Sequence, residues 1–307
     1  MPKNQSGWFT DHLSQDEVDF SKNAAEQLRE APWTKKMLKE SKIKGALSVQ
    51  PSVQRTYNEL NEIKSALFEV RFAFAIHLEH LTAEYEYPTG VDNSSIDFKV
   101  RDENNSWLIE LTSLRESDAV KTATTLNNNS SIIYESITGK DENSPEILDI
   151  LKLQNAIYNK VTKKNSKLKP IKFPKITNKN YHVIVIDARS INVSAVDYFD
   201  FALAINGSLS LSAINQGFYC RFFFNKNTKE LSHIRGVFEE NNEDGRSVIV
   251  RERIHFIGFT VEKSYSPGEL MQEMIVFPNP RYFSNWRDIE SIWPFQNRLI
   301  NTFANRA

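Results

Sequence analysis

Cysteine is all but missing from this chain: Cys220 stands alone among 307 residues. No internal disulfide can form, and a reducing compartment is expected. Glycine is scarce, ten in all, and none is set in a glycine-rich loop of the kind that cradles phosphates. The histidines at 12, 77, 80, 182, 233 and 255 show no zinc-ligand spacing with Cys220. His77 and His80 read as structural. Ser94 and Ser95 lack the surroundings of a nucleophile elbow. No apolar run approaches the roughly 18 residues of a membrane span, and the opening MPKNQSGWFTDHLSQDE has no signal-type core. The expectation is a cytoplasmic protein with no membrane partner. An excess of either charge is missing too: the formal net charge is -1. Any nucleic-acid surface must therefore come from local clustering.

Apolar material, by contrast, is plentiful. Hydrophobic residues make up 40% of the chain and include 20 phenylalanines, which excludes a disordered polymer. The length allows two domains or one domain with extensions. Residues 1–56 read as a helical N-terminal extension broken at Pro32 and Pro51, 57–265 as an α/β core, and 266–307 as a C-terminal helical extension. From Asn58 to Leu81 the apolar positions Leu60, Ile63, Leu67, Val70, Phe74, Leu78 and Leu81 recur at threes and fours. Phe68, Phe72 and Ile76 widen the stripe almost all round, so this helix should be buried. Pro88 and Gly90 end the pattern. Ser95–Arg101 and Trp107–Leu114 read as two strands of a hairpin, with turn residues between them. A helix is expected from Pro145 to about Lys164, and a strand buried on both faces at Tyr181–Asp187. Further strands are expected at Phe218–Asn225 and Ser247–Phe259, and a helix after Pro280. The order predicts a mixed central β-sheet flanked by helices.

Three carboxylates stand out. Glu69 lies inside the apolar helix, where burial requires a partner; a salt bridge to Arg71 or a neighbouring basic residue is the plain reading. Asp97 and Glu110 sit on the two hairpin strands. They share a face only if cross-strand partner numbers sum to an odd number, because side chains alternate with period two. Sums of 207 and 209 both achieve this with a four-residue loop within Asp102–Ser106. Two carboxylates so close repel each other, and a bound cation relieves the repulsion. A solvated strand face is the alternative. Asp187, ending the buried strand, is either a ligand contact at a strand terminus or a turn residue. A separate signal is the stretch from Leu151 to Lys179, with nine lysines (152, 160, 163, 164, 167, 169, 172, 175, 179) and no acidic residue. Such a tract suits sequence-independent contact with phosphates; a solvated helix face followed by a basic loop is its plain reading.

Glu69 on a helix, Asp97 in SIDF, Glu110 in LIELT, and Gln154 with Tyr158 in KLQNAIYNK together resemble the PD-(D/E)xK nuclease superfamily over about residues 58–190. The resemblance implies a restriction-endonuclease-like core and metal-dependent hydrolysis of nucleic-acid phosphodiester bonds, in DNA rather than RNA. It implies one Mg²⁺ or Mn²⁺ held by Asp97, Glu110 and the carbonyl of Leu111, with Glu69 direct or through water. The sequence departs from the family at one position: Thr112 stands where Glu-x-Lys places its lysine. Lys99, two residues after Asp97 on the same face, is the candidate substitute, with Lys121 and Lys160 next in line. Gln154, Tyr158, Lys160, Lys163, Lys164 and Lys167 are the expected nucleic-acid contacts. A homodimer is one assembly open to the chain. The rival reading is a nuclease-like module that binds nucleic acid or protein without cutting, and a structural subunit whose lysines meet an acidic partner is a third.

Overall fold

The computed structural model describes residues 13–114, 124–126, 132–134, 145–163, 168–189, 198–207, 222–225, 230–240, 242, 244–262, 264–284, 286–290, 292–295 and 298–299. Lys121, Lys164, Lys167 and Cys220 lie outside them. The helices are α1 (Gln15–Leu28), α2 (Lys35–Lys39), α3 (Ser41–Leu47), α4 (Tyr57–Leu78), α5 (Pro145–Val161), α6 (Tyr198–Asn206), α7 (Gly245–Arg253), α8 (Glu269–Gln272) and α9 (Trp286–Glu290). The strands are β1 (Thr82–Pro88), β2 (Ser95–Arg101), β3 (Ser106–Ser113), β4 (Thr124–Leu126), β5 (Ile132–Tyr134), β6 (Asn180–Asp187), β7 (Phe222–Asn225), β8 (Glu230–His233), β9 (Phe256–Thr260), β10 (Ile275–Pro278) and β11 (Arg298–Leu299).

A seven-stranded sheet runs in the order β1-β2-β3-β6-β9-β10-β11. The pairs β1/β2, β2/β3 and β9/β10 are antiparallel, while β3/β6, β6/β9 and β10/β11 are parallel. This is the expected mixed sheet, and helices cover both faces. On one face α1, α3 and α4 pack over Phe98, Val100, Trp107, Ile109, Leu111, Val183 and Val185. On the other, α5, α6 and α7 pack over Ile96, Leu108, Ile184, Ile186, Ile257 and Phe259. The two covered faces explain why WLIEL and VIVID are apolar without alternation. No described helix is long and apolar enough to cross a membrane.

Helix α4 starts in a capping box: Thr56 accepts from the Glu59 amide, and Glu59 accepts from the Thr56 amide. It stops at Leu78, three residues earlier than the periodicity predicts. His80 takes a left-handed conformation (φ 57°), and the Leu81 amide donates back to the Ile76 carbonyl. This closure satisfies the last carbonyls and turns the chain into β1.

Three expectations need correction. The strand β1 has no counterpart among the predicted elements, because its Glu84 and Glu86 and terminal Pro88 mask an edge strand. Ser247–Phe259 is not one strand but α7 followed by β9. Asp244 caps α7 by accepting from the Arg246 amide, and this cap outweighs the strand preference of Val248, Ile249 and Val250. The segment 266–307 is not a helical extension alone, since it adds β10 and β11 to the sheet. The N-terminal helices share the core of α4 through Val18, Leu28, Met37 and Ile43. Of the strand expected at Phe218–Asn225, Phe222–Asn225 is extended, paired with β8 in a separate two-stranded sheet.

Arg71 does not pair with Glu69. Its guanidinium contacts Glu262, Asp187 (3.2 Å) and Glu17 (3.5 Å). Arg189 joins the same buried cluster, reaching Asp187 at 2.6 Å and Glu17 at 3.2 Å. Burial pushes the Asp187 carboxyl up, but Arg189 and Arg71 overcome it and hold the group well below the usual range. Asp187 thus ties β6 to α4 and α1, and is neither a free turn residue nor an open ligand contact.

Candidate metal and phosphate site

The hairpin β2–β3 sets the site. Phe98 faces Ile109 and Arg101 faces Ser106, so partner numbers sum to 207, one of the two registers that put both carboxylates on one face. Asp97 lies just past the last ladder pair; its side chain reaches β3 at the Leu111 amide, close enough for the Glu110 charge to act on it. The loop Asp102–Asn105 is held by the Asp102 side chain, which accepts from the amides of Asn104 (2.7 Å) and Asn105 (2.6 Å).

Asp97 also marks a break in the sheet. On its other side Tyr85 pairs with Phe98 and Tyr87 with Ile96, and Glu86 between them adopts a left-handed conformation (φ 48°). Such a conformation at a non-glycine residue costs about 1 kcal/mol or more. Across the break Ile96 joins the α5 side of the core, while Phe98 and Val100 pack on the α4 side.

Glu110 is fully buried, at 0% exposure. Its Oε1 accepts from Lys160 Nζ at 2.8 Å and from Lys172 Nζ at 2.5 Å. Its Oε2 has no hydrogen-bond partner among the described residues. Asp97 Oδ2 accepts from the Leu111 amide at 2.6 Å. Burial and the neighbouring Glu110 charge push the Asp97 carboxyl up to about 7, against the pull of Lys160 and the Leu111 amide. Lys160 is raised: burial alone would lower it, and Glu110 and Asp97 more than reverse that.

Glu69 faces the same neighbourhood from α4, and its charge raises Asp97 further. Its own oxygens are taken by Lys42 Nζ (3.0 Å) and the Tyr85 hydroxyl (2.6 Å). Burial and Glu69 hold the Tyr85 hydroxyl well above its ordinary pKa. Among the described residues no three carboxylate, histidine or cysteine side chains gather into a metal cage. What could hold a divalent cation is the pair Asp97 and Glu110. The fit rests on the buried, unpartnered Glu110 Oε2 beside a second carboxylate, both hard oxygen donors of the kind Mg²⁺ and Mn²⁺ prefer. Leu111 is buried, and its amide donates to Asp97.

The other expected residues divide. Lys99 faces Leu108 rather than Glu110, and its ammonium lies over the Tyr87 ring, 4.2 Å from the centroid. Thr112 is half-buried, paired with Ile186 of β6. Gln154 is buried and donates to the carbonyls of Ala204 (3.0 Å) and Arg235 (2.6 Å). Tyr158 is buried beneath the Arg246 guanidinium, 4.4 Å from its ring centroid. These two hold α5 against α6 and α7. Lys163 contacts Asp92 at 3.5 Å, and Lys169 reaches the same carboxylate at 2.8 Å. The sequence alone does not single out Lys42, Tyr85, Asp92 or Lys172 for the site. Only the basic tract itself signals Lys172, which stands 62 positions from Glu110.

No protein-family model, curated protein or solved structure matches the chain.

Proposed function

We propose that the protein is a metal-dependent nuclease acting on DNA, with Asp97 and Glu110 as the metal-binding pair. The supporting observation is the buried carboxylate of Glu110, close enough to Asp97 for its charge to act there, with one oxygen unpartnered among the described residues and the other held by two lysines. The succession α4, β1–β2–β3, α5, β6 is compatible with a restriction-endonuclease-like core.

A bound Mg²⁺ or Mn²⁺ would supply Lewis acidity and a water acidified for attack on phosphorus. Asp97 and Glu110 would present carboxylate oxygens to it, and Glu69 would add negative charge from α4. Lys160 does the work that the resemblance assigns to the lysine missing at Thr112. Its ammonium already lies 2.8 Å from Glu110, where it can orient the attacking water and neutralise charge developing on the phosphate. In this reading Lys99, whose ammonium lies over Tyr87, takes no part. Lys163 and Lys169 supply positive charge at the rim beside Asp92.

The second reading, a binding module that does not cut, draws on Thr112 and on the lysines that already neutralise Glu110 and Glu69. Incubation with plasmid and single-stranded DNA in Mg²⁺, Mn²⁺ or EDTA separates the two. Metal-dependent cleavage lost in Lys160→Ala but kept in Lys99→Ala supports the nuclease. Binding without cleavage under every metal supports the module.

A further inference from the structure

Two ammonium groups converge on a single carboxylate oxygen, Glu110 Oε1. Glu110 is closed to solvent, whereas the Lys160 and Lys172 side chains are 27% and 26% exposed. The lysines can thus be reached from outside by an anion, while Glu110 presents no surface to solvent as long as they lie on it. The two like charges repel each other, and a ligand with several oxygens would let them separate.

Lys172 is aimed by its backbone. It has a left-handed conformation (φ 61°), and its amide donates to Ser94 Oγ at 3.0 Å. On one side the Ile171 amide donates to the Val161 carbonyl at 2.8 Å. On the other, Phe173 is fully buried and its carbonyl accepts from Arg253 at 3.0 Å. A turn pinned at both ends leaves the Lys172 side chain as the moving part.

We infer that Lys160 and Lys172 form a two-lysine clamp for a backbone phosphate of duplex DNA, held in reserve on Glu110 until a divalent cation claims that carboxylate. The inference rests on the nuclease reading of the same site. Cation and DNA then bind with positive coupling, because the cation removes the lysines' intramolecular partner and the phosphate removes their hold on Glu110. By linkage each ligand raises the other's affinity by the same factor.

The test is the anisotropy of a fluorescein-labelled 20-base-pair duplex in EDTA at fixed salt, with melting curves to confirm folding. Glu110→Gln frees the lysines without metal, and should bind the duplex about tenfold or more tightly than wild type. Its log–log salt slope should steepen by about 0.9 for each further phosphate that the freed lysines neutralise. In the Lys160→Gln/Lys172→Gln background, adding Glu110→Gln should change affinity less than twofold. An equal gain in both backgrounds would mean simple charge repulsion and would overturn the clamp, as would no gain at all. If Glu110→Gln does not fold, Lys172→Gln serves instead: it should cut the Ca²⁺-induced gain in duplex affinity from about tenfold to under threefold. An undiminished gain overturns the clamp. A failed cycle beside metal-dependent cleavage removes the clamp and leaves the nuclease. An intact cycle without cleavage removes the nuclease and leaves the clamp in a binding module. No duplex binding by any form removes both.

Discussion

Replacing Arg71 by alanine should destabilise the fold by about 3–5 kcal/mol, the usual cost of removing one partner from a buried ion pair. The Arg71 side chain is 1% exposed and contacts three carboxylates, those of Glu17, Asp187 and Glu262. Truncation leaves these to Arg189 and to the longer-range charge of Lys64 on Glu17. It also removes the guanidinium from the rings of Phe68 and Tyr265, 5.3 and 5.4 Å from their centroids. At roughly 2–4 °C per kcal/mol for a chain of this size, the melting temperature should fall by about 10 °C. The loss should depend on pH. Burial opposes the charged forms of Asp187 and Glu17, but the arginines prevail and hold both below the ordinary range. Their stabilisation is therefore present above the unfolded carboxylate pKa of about 4 and is lost as pH falls through the folded values. In Arg71→Ala those folded values rise, so the gap to wild type should be full at pH 7 and narrow below about pH 5. Urea denaturation at pH 7, 5 and 4 measures it. A gap under 0.5 kcal/mol at pH 7, or one that does not change with pH, would refute the reasoning.

Other outcomes follow from the same contacts. Lys160→Ala should lower cleavage by about 10²-fold or more, while Lys99→Ala stays within a few-fold of wild type; the reverse order would return the role to Lys99. His182 and His255 are buried neutral, pushed down to about 4 and about 3, chiefly by burial. Their stabilisation is present above the unfolded value of about 6.5 and is lost as pH falls below it. Stability should thus drop by about 2 kcal/mol per pH unit between pH 6 and 5, and His255→Gln should halve that slope in urea titrations. Mn²⁺ should raise the melting temperature of wild type and not of Asp97→Ala; equal shifts would move the site away from the hairpin.

The parts legible in sequence are those governed by local periodicity. The α4 stripe and the apolar VIVID strand each follow from one element's burial, whereas the alternation of SIDFKVR fails at Asp97, where Ile96 crosses to the α5 side of the core and parts from Phe98 and Val100. An odd partner sum is what puts Asp97 and Glu110 on one face, and the sequence does not choose between 207 and 209. That choice decides whether Lys99 faces Glu110 or Leu108, and the tight loop fastened by Asp102 accompanies the register of 207, with Lys99 facing Leu108. Contacts between distant segments are not legible. Arg71 is two residues from Glu69, but on a helix neighbours two apart do not face each other. Arg71 therefore turns to Asp187 and Glu262, while Glu69 turns to Lys42 and Tyr85. Lys172 reaches Glu110 only because the turn after α5 docks on Ser94. Gln154 and Tyr158 match a motif, but their side chains are spent on packing α5.

The central claim is metal-dependent cleavage at Asp97 and Glu110, and the most direct measurement compares wild type with Asp97→Ala, purified side by side, on supercoiled plasmid. Wild type should nick and linearise the plasmid in Mg²⁺ or Mn²⁺ and leave it intact in EDTA, and the variant should cleave at least about 10²-fold more slowly. A wild type that cuts under no metal, or a variant that cuts as fast, would contradict the claim.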